Sequence, residues 1–271
     1  MIYNISDIEI LISTINRSSL DFLVPMFPFA HFSNFQILIV NQTQNEKILN
    51  SDYPNVRVIN SLEKGLSKSR NLALKNAVGK ILVIADDDII YEENFTAKIV
   101  NAYNQFQNAA AIKFCIEKSK ANSKKEYPSI LKKNLGMFDI LQTSSIEMTL
   151  NKRIIDEMNI QFDENFGLGS GFEIGEEAVF LSDLKKKNQQ IVFIPEIIVK
   201  HNELTSSDKK DFIEKYYNQG ALFTRIFKNK YWFWLLIKIV FDLKQKKIKL
   251  SNISAVFKSA ISGHHKFRKI Q

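Results

Sequence analysis

Short apolar runs separated by polar turns open the chain. "IEILIST" (8–14) and "FQILIV" (35–40) are rich in β-branched residues, the pattern of strands buried on both faces of a parallel sheet. "NVRVIN" (55–60) alternates instead, which also suits an edge strand. In "GLSKSRNLALKNAVGK" (65–80), Leu66, Leu72, Ala73 and Ala77 recur at helical spacing, and Gly79 sits where a C-cap is expected. "ILVIA" (81–85) follows as a fourth strand. The spacing then predicts a helix over 92–106, a strand over 110–117, a lysine-rich loop over 118–129 and a glycine-rich loop leading into a helix over 165–187. A strand over 190–201 closes the series. Strands alternating with helices in this way predict an α/β chain with a Rossmann-like, doubly wound, mostly parallel sheet flanked by helices.

The last part of the chain has a different texture. Between Tyr231 and Leu243 the only charges are Lys238 and Asp242, and lysines cluster beyond them. This run is too short to cross a bilayer, and it predicts a helix lying on a membrane surface with its lysines at the headgroups. Packing on the domain with a solvated basic face is the other reading. Charge separates the same two parts. Residues 209–271 carry 15 Lys and Arg against three acidic residues, while residues 1–208 carry 22 against 26, within a net charge of +8. We therefore expect two units, 1–208 as the α/β domain and 209–271 as a helical, basic, aromatic tail. The aromatics of the tail lie in one apolar run with aliphatics, unlike a platform for stacking bases, so nucleic-acid binding is not expected. The lone Cys115 excludes an internal disulfide and a cysteine-rich metal site, and the start "MIYNISDIEI" has no signal-peptide pattern. A cytoplasmic protein, peripheral at the inner face of the plasma membrane, is the expectation.

Candidate chemistry gathers where the strands end. Asp86, Asp87 and Asp88 follow the fourth strand, and three adjacent carboxylates repel one another unless a cation is near. In open α/β sheets ligands bind at the carboxyl ends of the strands, so these aspartates suit Mn²⁺ or Mg²⁺ bridging to phosphates; a solvated acidic turn is the alternative. Just before that strand, Gly65 and the polar start of its helix offer backbone N–H groups to an anion, with Lys68 and Arg70 adding positive charge. In "GSGFEIGEEAVF" (169–180), Glu176 and Glu177 at a helix start suit a general base or helix capping. His201, after an apolar strand, is a further candidate metal ligand.

Taken in order, these stretches resemble the nucleotide-sugar-dependent glycosyltransferases of the GT-A fold, in particular glycosyltransferase family 2. "ILISTINR" matches the family's first strand and turn, "ILIVNQTQ" stands where an acidic pair usually follows the second strand, and "GLSKSRN" matches its G-x-x-x-x-R-N helix. "VIADDDIIY" matches the D-x-D-type strand end and "GEEAVF" the loop and helix with an E-D pair. The similarity spans residues 8–201 and is strongest toward bacterial members that build capsule, lipopolysaccharide or other surface glycans. It implies that Ser13 and Thr14 line the nucleotide pocket, that Asn41 faces the base, and that Arg70 lies near the base and diphosphate. It implies that Asp87 and Asp88 hold the ribose and the divalent ion, with Asp86 as a second ligand or a shaper of the turn. Glu177 occupies the place of the catalytic base, with Glu176 as its rival.

The implied activity is inverting, metal-dependent transfer of a sugar from a nucleoside diphosphate donor, UDP-linked by preference, to a growing surface glycan or a lipid-linked oligosaccharide. Two other readings stay open. One is a haloacid dehalogenase-type, Mg²⁺-dependent phosphatase with Asp86 as nucleophile and Asp88 as acid. The other is a catalytically silent accessory subunit that binds a nucleotide sugar.

Overall fold

The computed structural model describes residues 2–44, 47–118, 126–201 and 211–271. Its strands are β1 (Ile8–Ile15), β2 (Ile37–Gln42), β3 (Val56–Ser61), β4 (Ile81–Asp86), β5 (Ile90–Tyr91), β6 (Ala109–Lys118), β7 (Met148–Asn151) and β8 (Gln190–His201). The helices are α1 (Leu23–Met26), α2 (Leu66–Asn76), α3 (Phe95–Gln105), α4 (Met137–Ile140), α5 (Lys152–Met158), α6 (Glu176–Lys186), α7 (Phe212–Phe227), α8 (Tyr231–Lys244) and α9 (Ile253–Arg268). Among the described residues the strands form one sheet in the order β3-β2-β1-β4-β7-β6-β8-β5. β3, β2, β1 and β4 run parallel, and so do β6 and β8. β7 lies antiparallel between β4 and β6, and β5 antiparallel against β8.

The unbroken apolar runs serve two layers at once. Leu11, Leu38, Leu82 and Ile84 face a core shared with α2, α6, α7 and α9, while Ile10, Ile12, Ile37, Ile39 and Val83 face a second core with α1 and α3. β3 is the edge strand that its alternation allows. The short β7 has no apolar run to announce it, because four residues between neighbours on both sides need little length.

Gly79 does not cap the preceding helix. α2 ends at Asn76, and Gly79 follows in the turn into β4, where a Cβ would lie 2.5 Å from Glu9 Cβ and 2.9 Å from its backbone nitrogen. The buried Glu9 carboxylate accepts from the N–H groups of Val78 (2.6 Å) and Gly79 (2.8 Å) and pairs with Arg57. A close backbone approach requires this glycine. Of the predicted loop over 118–129, residues 119–125 lie outside the described residues.

The C-terminal part also departs from a single surface helix. α7 and α9 bury Tyr216, Phe223, Val256, Ala260 and Phe267 in the same core as α2 and α6. Their backbones touch: a Cβ on Gly220 would lie 1.9 Å from the Ala260 carbonyl oxygen, and one on Gly263 1.9 Å from that of Tyr217. Among the described residues, α8 keeps an open apolar face. Leu235, Ile239 and Asp242 turn inward, whereas Trp232, Phe233, Leu236, Val240 and Phe241 are each about half exposed. Both charges of the run are paired: the buried Asp242 accepts from the half-buried Lys238 and from the Tyr216 hydroxyl (2.9 Å).

Candidate active site

Strand register brings the predicted residues level. Ser13 of β1 stands opposite Asp86 of β4, and Thr14 opposite Asn41 of β2, so the carboxyl ends of three parallel strands open on one side of the sheet. After β1 the chain turns back through Asn16 at φ 54°, a left-handed conformation that asparagine tolerates, and this returns Arg17 over the strand ends.

There the three aspartates part company. Asp86 faces the buried Arg70 at 3.1 Å, Asp87 accepts from Thr14 and from Arg17 Nε at 2.9 Å, and Asp88 meets His201 Nε2 at 3.3 Å. Their repulsion is thus answered by separate partners on α2, on the turn after β1 and on β8. Arg17 also lies over the Phe22 ring, 5.0 Å from its centroid, which restrains the guanidinium against Asp87.

Arg70 joins two parts of the site. Its guanidinium bridges Asp86 and Glu176 Oε1 (2.8 Å) and sits 5.6 Å from the centre of the Phe162 ring. Burial opposes its charge, but Asp86, Glu176 and Glu177 outweigh that cost and hold its pKa above the ordinary value. The adjacent Glu177 has a different environment. Its Oε1 accepts from the Ser145 N–H at 3.1 Å, and burial, followed by the charge of Glu176, pushes its carboxyl up to about 8. One glutamate is committed to an ion pair, and the next is a carboxyl whose protonation changes near neutral pH.

Several predicted contacts are turned toward the protein itself. Asn41 is fully buried; its Nδ2 donates to the Arg17 carbonyl and to Asn60 Oδ1, both at 3.0 Å, and its Oδ1 accepts from the Arg17 N–H at 3.0 Å. It therefore holds the turn that carries Arg17. The start of α2 does not offer an open set of N–H groups. Gly65 N–H donates to Gln42 Oε1 at 2.7 Å and Leu66 N–H to the Leu168 carbonyl at 2.9 Å, while Lys68 pairs with Glu63. Ser13 accepts from Ser69 at 3.0 Å, tying β1 to the same helix.

Among the described residues no group of three or more His, Cys, Asp or Glu side chains converges as an ion cage. Asp88 and His201 nonetheless fit a divalent ion as a pair of donors. One carboxylate oxygen and one imidazole nitrogen face each other at 3.3 Å beside the strand ends, with the Asp88 side chain 45% exposed. Mg²⁺ and Mn²⁺ are commonly held by one or two protein groups, with phosphate and water oxygens completing the shell.

The model of glycosyl transferase family 2 matches residues 10–173, more than half of the chain. The chain belongs to glycosyl transferase family 2. Its fold is the GT-A type, and the S. aureus protein TarS has a similar one. A TarS fragment crystallised with UDP-GlcNAc superposes with a TM-score of 0.59 at 15% identity, covering 93% of this chain and 79% of that one. The same TarS fragment, residues 1–349, gives 0.55 at 14% identity, covering 82% of this chain and 65% of the fragment. This chain thus spans about two thirds of the length of that TarS fragment. At this identity the likeness speaks for the fold. A search of curated proteins finds no match. Family membership sets aside the phosphatase reading, in which Asp86 attacks phosphate; here that carboxylate is paired with Arg70.

Two site residues were not singled out by sequence reasoning. Arg17 lies within "ILISTINR", and a cation directly after the first strand was the available signal. Ser145, in a 3-10 turn over Ser145–Glu147, presents a backbone N–H, which no side-chain pattern announces.

Proposed function

We propose that the chain is an inverting glycosyltransferase that moves a sugar from a nucleoside diphosphate donor to a hydroxyl of a surface glycan or lipid-linked oligosaccharide. The observation that carries this reading is Glu177, whose carboxyl accepts from the N–H of Ser145, the residue whose hydroxyl reaches Asp86 at the end of β4 at 3.5 Å, and is pushed up to about 8. A general base works best with a pKa near the operating pH. Glu176, held by Arg70, is the poorer candidate.

In the proposed reaction the acceptor oxygen attacks the anomeric carbon from the face opposite the diphosphate, and its proton passes to Glu177. The carbon–oxygen bond to the diphosphate breaks, and the electron pair leaves with that group. One displacement inverts the centre, so a base suffices and no enzyme nucleophile is needed. Asp87, with Thr14 and Arg17 beside it, is assigned to the ribose, and Ser13 to the pocket wall. Asp88 and His201 would hold Mn²⁺ or Mg²⁺, which supplies positive charge to the leaving diphosphate when bound. UDP-linked sugars are the first donors to try.

Melting temperature in the presence of UDP or UDP-sugars, with and without Mn²⁺, tests the donor side, because a ligand of the folded state raises it. The shift should need Mn²⁺ and should vanish in Asp88→Ala. A Mn²⁺-dependent shift that survives Asp88→Ala would remove the metal assignment. A silent accessory subunit would keep its function in Glu177→Gln, whereas the enzyme should lose turnover and retain donor binding.

The second half of the reading concerns α8. Its exposed stripe of Trp232, Phe233, Leu236, Val240 and Phe241 is flanked by Lys228 and Lys230 before it and Lys244, Lys246, Lys247 and Lys249 after it. A second copy docked on this face would bring like charges together. An anionic bilayer accepts both the apolar stripe and the lysines, each worth about 1 kcal/mol near such a surface. Among the described residues no helix is long and apolar enough to cross a membrane. We assign the chemistry to residues 1–208, surface attachment to 209–271, and the site of action to the inner face of the plasma membrane.

A further inference from the structure

The base-bearing turn is gripped by one face of α7. Residues 218, 222 and 225 of that helix are spaced by four and three positions, so they share a face. Asn218, 2% exposed, accepts at Oδ1 from the Glu173 N–H (2.9 Å) and donates from Nδ2 to the Glu214 carbonyl (2.9 Å). Leu222 lies against Gly175, the residue that starts α6 at φ 92°; a Cβ there would be 2.8 Å from Leu222 Cδ2. Arg225 donates to Asp183 of α6 through both terminal nitrogens, at 3.1 and 2.7 Å, and from Nε to Asp163 at 2.6 Å. The loop before the turn is held from the same side, with the Phe172 ring 5.6 Å from that of Tyr217 and 5.8 Å from that of Phe267 on α9.

We propose that α7 is a positioning element for the reaction, and that Asn218 acts through the Glu173–Glu177 turn to set where the Glu177 carboxyl stands. The inference rests on the reading of Glu177 as the base. A helix that merely completed the core would need apolar contacts alone. This one spends a buried amide on the backbone N–H four residues before Glu177, at the end of α6 where Arg70, Asp86 and Glu176 also act on that carboxyl. Without the acceptor, the Glu173 N–H must find water, and the turn opens to let it in.

The test uses the full chain carrying Asn218→Ala, with Leu222→Val as a milder variant should the first fail to fold. In protein labelled with ¹³C at the glutamate carboxyls, with Glu177 assigned through Glu177→Gln, the Glu177 signal should titrate at lower pH than in the parent. Affinity for UDP with Mn²⁺ should stay within about twofold. Turnover should fall about tenfold or more at unchanged donor KM, as expected when a reacting group is displaced without loss of binding. Asn218→Asp, which keeps an acceptor oxygen, should restore most of the turnover. A Glu177 titration in the folded variant identical to the parent's would overturn the proposal. The titration needs no turnover, so this failure is distinct from an absence of transferase activity.

Discussion

Glu176 and Glu177 are neighbours in the chain, yet one faces Arg70 and the other the Ser145 N–H. That difference is worked out in three dimensions, and the dipeptide alone leaves the two interchangeable. Replacing Glu177 with Gln should lower turnover by about 10²–10⁴-fold with donor affinity kept, measured as product formation and donor binding on the same samples. In the parent, kcat/KM should rise with pH through about 8 as the carboxyl loses its proton. Arg70 calls for a different measurement. Its replacement by Met leaves Asp86 and the buried Glu176 without their cation, and a denaturant titration should show a loss of about 3–5 kcal/mol. Lys at this position should recover little, because a point charge cannot bridge two carboxylates as a planar fork does.

At the scale of elements, the apolar runs of β1, β2 and β4 were legible because burial on both faces leaves no polar gap. β7 was not, since its four residues lean on neighbours far apart in the chain. Gly79 shows a similar limit: glycine after a helical pattern suggests a cap, and only the approach of β1 reveals that Glu9 needs the space. The candidate site was legible as a set of residue types, but the partners that pull the three aspartates apart come from α2, the turn after β1 and β8. The C-terminal helices were legible in composition and illegible in arrangement. Lys238 and Asp242 stand out in the sequence as the two charges of an apolar run, but their pairing along α8, with the Tyr216 hydroxyl as a further partner of Asp242, is visible only in three dimensions. Replacing Trp232, Leu236 and Phe241 together with Ser should abolish co-sedimentation with vesicles containing anionic lipid. It should leave the melting temperature within a few degrees, because these side chains are already about half exposed. Retained vesicle binding in the triple variant would show that attachment lies elsewhere.

For the molecule as a whole, two opposite linkages shape stability against pH. Glu177 is raised from 4.5 in the unfolded chain to about 8, so the folded state binds the extra proton between those values. Its contribution is complete below about 4.5 and is lost as pH rises toward 8. Asp183 is lowered: burial would raise it, but Arg225 and Lys186 prevail, so its contribution holds above its unfolded value of 3.8 and fades as pH falls below it. Thermal melts across pH should therefore show declining stability from about pH 5 to 8, and Glu177→Gln should flatten that limb while leaving the acid limb alone. A melting profile unchanged by Glu177→Gln would show that the carboxyl does not titrate in that window.

The direct backbone contact between Gly220 and Ala260, and between Gly263 and Tyr217, has a mechanical meaning for the assembly. Two helices that meet without intervening side chains have little room to slide or tilt, so the wall behind the Glu173–Glu177 turn is stiff. Amide hydrogen exchange should accordingly be slow through 216–226 and 256–267, and an alanine at either glycine should speed it in both segments by prising the helices apart.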